Sequence, residues 1–312
     1  MAIPLKPRKL EPGARIGIVS PAYWLEPERL ERAVGVFTQL GYDPVPGTST
    51  GLRDNQCAGT PAERAADIMA MFADPSIEAI ICARGGYGGN RVLPLLDYEL
   101  IRRNPKIFVG YSDITGLLNS IAQKSGLVTF HGPMLSSYGK QTIQYNLDCF
   151  HEVLTGRQDV RVMSPPECRA RCLRPGIARG PLWGGNITLV IERLGTDDQI
   201  DTTGSILLLE DIDEKLYRFE RMMLHLKRSG SLDGIRGLVI GELLEMGDSK
   251  VPFGKTTDEI VLDVCGDLAI PIISNFPCGH GLYQATLPVS FEVEIHAKNT
   301  DPHILIPGSP VA

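Results

Sequence analysis

Residues 106–130 read KIFVGYSDITGLLNSIAQKSGLVTF, and the order of patterns in that stretch decides the fold. Lys106–Gly110 is a short apolar run that suits a buried strand. Asp113–Gln123 reads as helix, and Leu127–Phe130 turns apolar again. Strand, helix and strand within 25 residues form a crossover unit of the kind that lays parallel strands side by side.

The same alternation extends toward the N-terminus. Ala14–Ser20 (ARIGIVS) reads as a buried strand, and Leu30, Val34 and Phe37 mark one face of a helix closed by Gly41. Thr60-Pro61-Ala62-Glu63 is a helix start: Thr60 can cap, Pro61 suits the first helical position, and Glu63 completes a capping box. That helix is expected to reach about Ala73 and to stop before Asp74-Pro75. A strand at Ala79–Cys82 and a helical stretch over Arg91–Leu96 complete the series. Near-continuous apolar strands separated by helices imply a parallel sheet covered on both faces, with chemistry at the carboxyl ends of its strands.

Past this region the rhythm breaks. Lys140–Arg179 is rich in proline and charge (Ser164-Pro165-Pro166, Arg174-Pro175-Gly176) and reads as a linker. Beyond it come a helix from about Asn186, a strand at Ser205–Glu210, and a helix over Glu214–Arg228 with Leu216, Phe219, Met223 and Leu226 on one face. Further strands are expected at Gly237–Gly241, Pro271–Ser274, Val289–His296 and His303–Ile306. The fold class is therefore α/β. An N-terminal parallel-sheet domain (1–139) is followed by the linker (140–179) and a smaller C-terminal α/β domain with a mixed sheet (180–312), the active site lying in the cleft between domains.

Bulk composition narrows the function. The chain has 312 residues, 43% hydrophobic and 22% charged, with a formal net charge of −6. Its Lys and Arg are scattered rather than striped, which argues against a nucleic-acid partner. The N-terminus lacks the apolar core of a signal peptide, and no apolar run approaches the length of a membrane span. Seven cysteines include no CxxC pair, and Cys168 and Cys172 have no nearby histidine to complete a zinc site. Reduced thiols in the cytoplasm are the expectation, with no metal and no cofactor.

Four places have the residue types that chemistry requires. In Gly110-Tyr111-Ser112-Asp113 a serine stands where a strand hands over to a helix, so its hydroxyl would project from the carboxyl edge of the sheet. The N–H of Asp113 could then receive an oxyanion. The nucleophile-elbow pattern G-x-S-x-G has Ile114 in place of its last glycine, and a plain helix N-cap is the competing reading. Arg84-Gly85-Gly86-Tyr87-Gly88-Gly89 follows a strand directly. It suits a phosphate cradle, a second oxyanion donor from Gly85 or Gly86, or simply a tight loop. Among six histidines, His280 stands in the Gly/Pro-rich stretch Phe276–Gly281, where a base is held yet reachable, and His131 ends a predicted strand. Glu210 closes a buried apolar strand and could orient an imidazole, or be a solvated strand end beside Asp211, Asp213 and Glu214.

Six blocks together resemble the serine LD-carboxypeptidases, the muramoyl-tetrapeptide carboxypeptidases, whose sister branch contains the microcin C self-immunity peptidases. They are RGGYG (Arg84–Gly88), GYSD (Gly110–Asp113), HGP (His131–Pro133), WGGN (Trp183–Asn186), LLLED (Leu207–Asp211), and GH (Gly279–His280) followed by TLP (Thr286–Pro288). They occur in family order across most of the chain. The resemblance implies a Ser–Glu–His triad at Ser112, Glu210 and His280, a nucleophile-bearing N-terminal domain, a C-terminal domain bearing Glu and His, and no metal or organic cofactor. Asp113, Gly85 and Gly86 would supply the oxyanion hole, with Arg84, Tyr87, Trp183 and Asn186 as candidate substrate contacts. The implied reaction removes a terminal D-alanine from cytoplasmic muropeptides during peptidoglycan recycling. The expected partner is a small peptide, with a homodimer as an open option that the sequence does not decide. Cleavage of a peptidyl-nucleotide, a non-catalytic peptide-binding module and a nucleotide-dependent enzyme built on Gly85–Gly89 are the alternatives.

Overall fold

A computed structural model describes residues 4–138 and 141–312 of the chain. The apolar runs become strands and the periodic stretches become helices: β1 (Arg15–Val19), α1 (Pro27–Gln39), β2 (Asp43–Pro46), α2 (Pro61–Ala73), β3 (Ala79–Cys82), α3 (Tyr98–Arg103), β4 (Ile107–Gly110), α4 (Thr115–Ser125), β5 (Thr129–His131), α5 (Leu135–Tyr138) and α6 (Gln144–Leu154). There follow β6 (Val160–Met163), β7 (Arg171–Arg174), β8 (Gly176–Asn186), α7 (Ile187–Ile191), β9 (Ile206–Ile212), α8 (Leu216–Arg228), β10 (Gly237–Leu244), α9 (Thr257–Val264), β11 (Ile272–Phe276), β12 (Leu287–Val289), β13 (Glu292–Ala297) and β14 (His303–Ile306).

Two sheets result. The six-stranded one has the order β12-β5-β4-β3-β1-β2, parallel throughout except for β12 against β5. Its central strands β3 and β4 are wholly buried, as their unbroken apolar runs require. The eight-stranded sheet has the order β6-β14-β13-β8-β9-β10-β11-β7. Strands β8 to β11 are parallel neighbours and the outer pairs are antiparallel, so this sheet is mixed. The expectation of an α/β chain with one largely parallel and one mixed sheet holds. In the second sheet Leu207 and Leu209 of β9 pack with Phe219, Met223 and Leu226 of α8, the apolar face expected from periodicity.

By packing, the chain divides into two compact units: Met1–Gln158 with Ala285–Ser290 and Gly308–Ala312, and Asp159–Gln284 with Phe291–Pro307. This differs from a simple bisection. The stretch 140–179, expected as a linker, carries α6, β6, β7 and the start of β8. Its charged residues are spread over α6, β6, the partly wet edge strand β7 and the turns between them. Residues 139 and 140, where the first boundary was placed, lie outside the described residues.

The run Val289–His296, expected as one strand, is two strands in two sheets. It is broken at Ser290, whose φ is +64°. In place of a helix over Arg91–Leu96 there are two short 3₁₀ turns, Gly89–Arg91 and Leu93–Leu95, and Pro94 has no backbone N–H to give to a continuous helix through this stretch. Among the described residues no helix is long and apolar enough to cross a membrane.

Candidate active site

In the first unit, the turn after β4 builds the serine's setting. The strand ends at Gly110, and two residues later Ser112 adopts φ +62° as it opens a single 3₁₀ turn that runs into α4. Left-handed backbone at a non-glycine residue costs about 1–2 kcal/mol, and surrounding structure must impose it. Here a wholly buried strand and a nearly wholly buried helix do so. The turn places the N–H of Asp113 at the start of the helical segment, where it has no intrahelical acceptor.

The glycine-rich stretch passes directly over this turn. A Cβ on Gly85 would lie 3.0 Å from Ser112 Cβ, 3.1 Å from Ser112 Oγ and 3.3 Å from the Asp113 nitrogen. A side chain at that position would crowd the turn, and the Gly85 backbone is a neighbour of the serine hydroxyl. The carboxylate of Asp113, 4% exposed, accepts the Gly89 N–H at 2.7 Å. Arg84 lies half-buried with its guanidinium over the ring of Tyr23, 4.5 Å from the centroid, and its Nη1 is 3.5 Å from the Trp24 carbonyl. Tyr87 is 55% exposed. His131 is buried in β5, its ring edge-on to Tyr111 at 6.2 Å.

The second unit holds the carboxylate and the imidazole. Glu210 is the fifth residue of β9 and is 0% exposed. His280 stands in the loop after β11, with Nδ1 2.7 Å from Glu210 Oε2. The loop can approach because Gly279, at φ +103°, has no side chain; a Cβ there would lie 2.9 Å from Glu210 Cγ. Gln284 Nε2 donates to the Gly279 carbonyl at 2.6 Å and ties down the far side of the loop.

Burial pushes the Glu210 carboxyl up, while the hydrogen bond and charge of His280 pull it back. Burial would lower the His280 pKa, but the hydrogen bond and charge of Glu210, with the Asp211 charge, outweigh it and raise the imidazole above its ordinary value.

Asn186, a candidate substrate contact, is buried, at 4% exposure. It stands opposite Glu210 in the β8–β9 register, donates Nδ2 to Asp211 Oδ1 at 3.0 Å, and caps α7 through Leu189 N–H at 3.3 Å. Trp183 packs against the apolar core of this unit. Sequence reading missed Asp211, whose carboxylate also accepts from Thr188 Oγ1 at 2.9 Å, and it missed Gln284. Asp211 was visible as one of a run of acids and as the end of the LLLED block, with no role attached, and Gln284 carried no signal. Among the described residues no three His, Cys, Asp or Glu side chains are grouped to hold a metal.

Comparison with known proteins gives the class. The LD-carboxypeptidase N-terminal domain matches residues 16–132 and the LD-carboxypeptidase C-terminal domain matches residues 179–295. The chain belongs to the LD-carboxypeptidase family of peptidases. Within it, the chain is 34% identical over 290 residues to a protein of Bacillus subtilis that bears the name probable murein peptide carboxypeptidase, covering 91% of this chain and 89% of that one. It is 30% identical to the microcin C7 self-immunity protein of Escherichia coli, over 95% of this chain and 94% of that protein.

Among solved structures, the muramoyltetrapeptide carboxypeptidase of Oxalobacter formigenes superposes with a TM-score of 0.85 at 30% identity, over 96% of this chain and 100% of that one. The self-immunity protein superposes with a TM-score of 0.92 at 28% identity, over 99% and 100%. That protein has also been solved in complex with aspartyl sulfamoyl adenosine.

Proposed function

We propose that this protein is a serine carboxypeptidase that removes the terminal D-alanine from muropeptide tetrapeptides in the cytoplasm, during peptidoglycan recycling, through Ser112, Glu210 and His280. The observation that carries the reading is the 2.7 Å bond between His280 Nδ1 and the buried Glu210 carboxylate. With Nδ1 engaged, proton transfer falls to Nε2, and the carboxylate stabilises the imidazolium that forms. Glu210 and His280 belong to the second unit and Ser112 to the first, so the reading requires the Ser112 hydroxyl to meet His280 in the working enzyme.

His280 takes the Ser112 proton as Oγ attacks the scissile carbonyl. The oxyanion is received by the N–H of Asp113 and that of Gly85 or Gly86. His280 then returns its proton to the departing amine of D-alanine, and water, activated by the same base, releases the acyl-enzyme. Arg84 is the candidate for holding the free carboxylate of the substrate, since a guanidinium pairs with a carboxylate through two parallel bonds. No step calls for a metal or organic cofactor.

The microcin-type reading is the second one, favoured by the close superposition on the self-immunity protein. The higher identity to the murein peptide carboxypeptidase supports the first. The two readings part on substrate. Incubation with a tetrapeptide ending in D-alanine, and in parallel with a peptidyl-adenylate, should release free D-alanine from the former and leave the latter intact, with turnover unchanged by a metal chelator. Ser112→Ala should lower kcat by roughly 10⁴–10⁶-fold. Near-native turnover by that variant would reject the nucleophile, and cleavage of the adenylate alone would select the second reading.

A further inference from the structure

The peptide group between Gly88 and Gly89 is held from both of its sides. Its N–H, on Gly89, donates to the Asp113 carboxylate at 2.7 Å, and its C=O, on Gly88, accepts from Arg64 Nη1 at 3.0 Å. Both partners are buried charges, Arg64 at 1% and Asp113 at 4% exposure. Arg64 reaches this point from α2 and with the same nitrogen also holds the Pro21 carbonyl, which follows β1. A cation at the oxygen end and an anion at the nitrogen end match the peptide dipole, and both bonds are charge-assisted, the stronger class. The two charges also attract each other, which eases the cost of burying either.

Such anchoring has a purpose in this segment. Gly86 and Gly88 lie at φ +116° and +124°, and Gly85, Gly86, Gly88 and Gly89 stand within five residues. Glycines lose the most backbone freedom on ordering, so left alone the segment would sample many conformations. Its first glycine must nevertheless stay against Ser112 Oγ and the Asp113 nitrogen. Asp113 thus acts twice: its N–H begins the helical segment beside the serine, and its side chain holds the far end of the glycine run.

We propose that Arg64 and the Asp113 carboxylate are positioning residues of the oxyanion site, pinning the Gly88–Gly89 peptide plane so that the Gly85 and Gly86 N–H groups stay registered against Ser112. This rests on the reading of Ser112 as nucleophile and adds two side chains to it.

The test uses the full chain and two readouts: turnover of a D-alanine-terminated tetrapeptide, and the rate of labelling by a fluorophosphonate, which needs the serine and its oxyanion donors but not the natural substrate. Losing a direct oxyanion donor costs about 10²–10³-fold in kcat, and an indirect support should cost less. Asp113→Ala and Arg64→Lys are expected to lower both kcat and the labelling rate by roughly 10–100-fold, with KM changed by less than about threefold. Asp113→Asn, which keeps an acceptor for the Gly89 N–H, should recover most of the loss. A residue that serves only to hold the fold would lower the amount of active enzyme and its melting temperature, without this split between kcat and KM and without rescue by Asn.

If Asp113→Ala does not fold, Asp113→Asn and Arg64→Lys carry the comparison. Ser112→Ala is run beside them. Should it retain turnover and labelling, the nucleophile reading falls and this proposal with it. Should it be inactive while Asp113→Ala and Arg64→Lys match the parent in both readouts, only the positioning role is overturned.

Discussion

At the scale of single residues, the pairing of His280 with Glu210 sets a pH response whose sign can be worked out. On the proposed reading of His280 as general base, the imidazole must be neutral to accept a proton, so activity on free enzyme and substrate is expected to fall as pH drops through its pKa. That pKa lies above the ordinary value of about 6.5, because the hydrogen bond and charge of Glu210 outweigh the burial that alone would lower it. The acid limb of kcat/KM is therefore expected above pH 6.5, moved toward neutrality. Glu210→Gln keeps the shape of the side chain and removes its charge. Its expected effects are a fall in kcat on the order of 10³–10⁴-fold and a shift of the acid limb to lower pH. A pH–rate profile of the parent and the variant checks both. An acid limb that stays in place would mean that another group sets it and that Glu210 does not hold the base.

At the scale of elements, helix α2 shows what the sequence made legible and what it hid. Its start was readable because a capping box is a local device. Thr60 Oγ1 accepts from the Glu63 N–H at 3.3 Å, and Glu63 Oε2 accepts from the Thr60 N–H at 2.8 Å. An N-cap threonine is worth about 1 kcal/mol, so Thr60→Ala should lower the melting temperature by roughly 2–4 °C. Activity should be kept at temperatures well below the transition. Differential scanning calorimetry tests this, and an unchanged transition would show that the box does not support the helix.

The same helix hid Arg64. A charged residue in register with the buried Ile68, Met71 and Phe72 breaks an apolar stripe. That was the available signal, but its partners, two carbonyls in other segments, leave no trace in the sequence. Strands divided in the same way. β3 and β4 declared themselves by unbroken apolar runs, while β7, with Arg171 and Arg174 at its ends and no fully buried residue, looks like a loop because an edge strand half in water carries no alternation to read. For the candidate site, motif order pointed to Ser112, Glu210 and His280, and the structure pairs the last two. The side chains behind them (the Asp113 carboxylate, Arg64, Asp211 and Gln284) are set by packing between segments far apart in the chain and were not readable.

At the scale of the whole molecule, the chain does not run through one unit and then the other. After more than a hundred residues in the second unit it returns to the first to lay down β12, passes back at Phe291, and comes home again at Gly308. The return strand pairs Leu287 with His131, Pro288 with Phe130 and Val289 with Thr129. Leu287 is wholly buried there. Truncating a buried leucine to alanine costs about 2–5 kcal/mol through lost burial and the cavity left behind, and in this topology the cost should fall on the first unit. Leu287→Ala is expected to accelerate amide exchange in β5 and β4, more than 150 residues away in sequence. Amides of β13, which begins five residues later at Glu292, should keep their protection because their partners are β8 and β14. Hydrogen–deuterium exchange resolved by peptide separates the two cases. Equal acceleration in β5 and β13 would mean that the units open as one, and that stability is shared along the sequence rather than partitioned by packing.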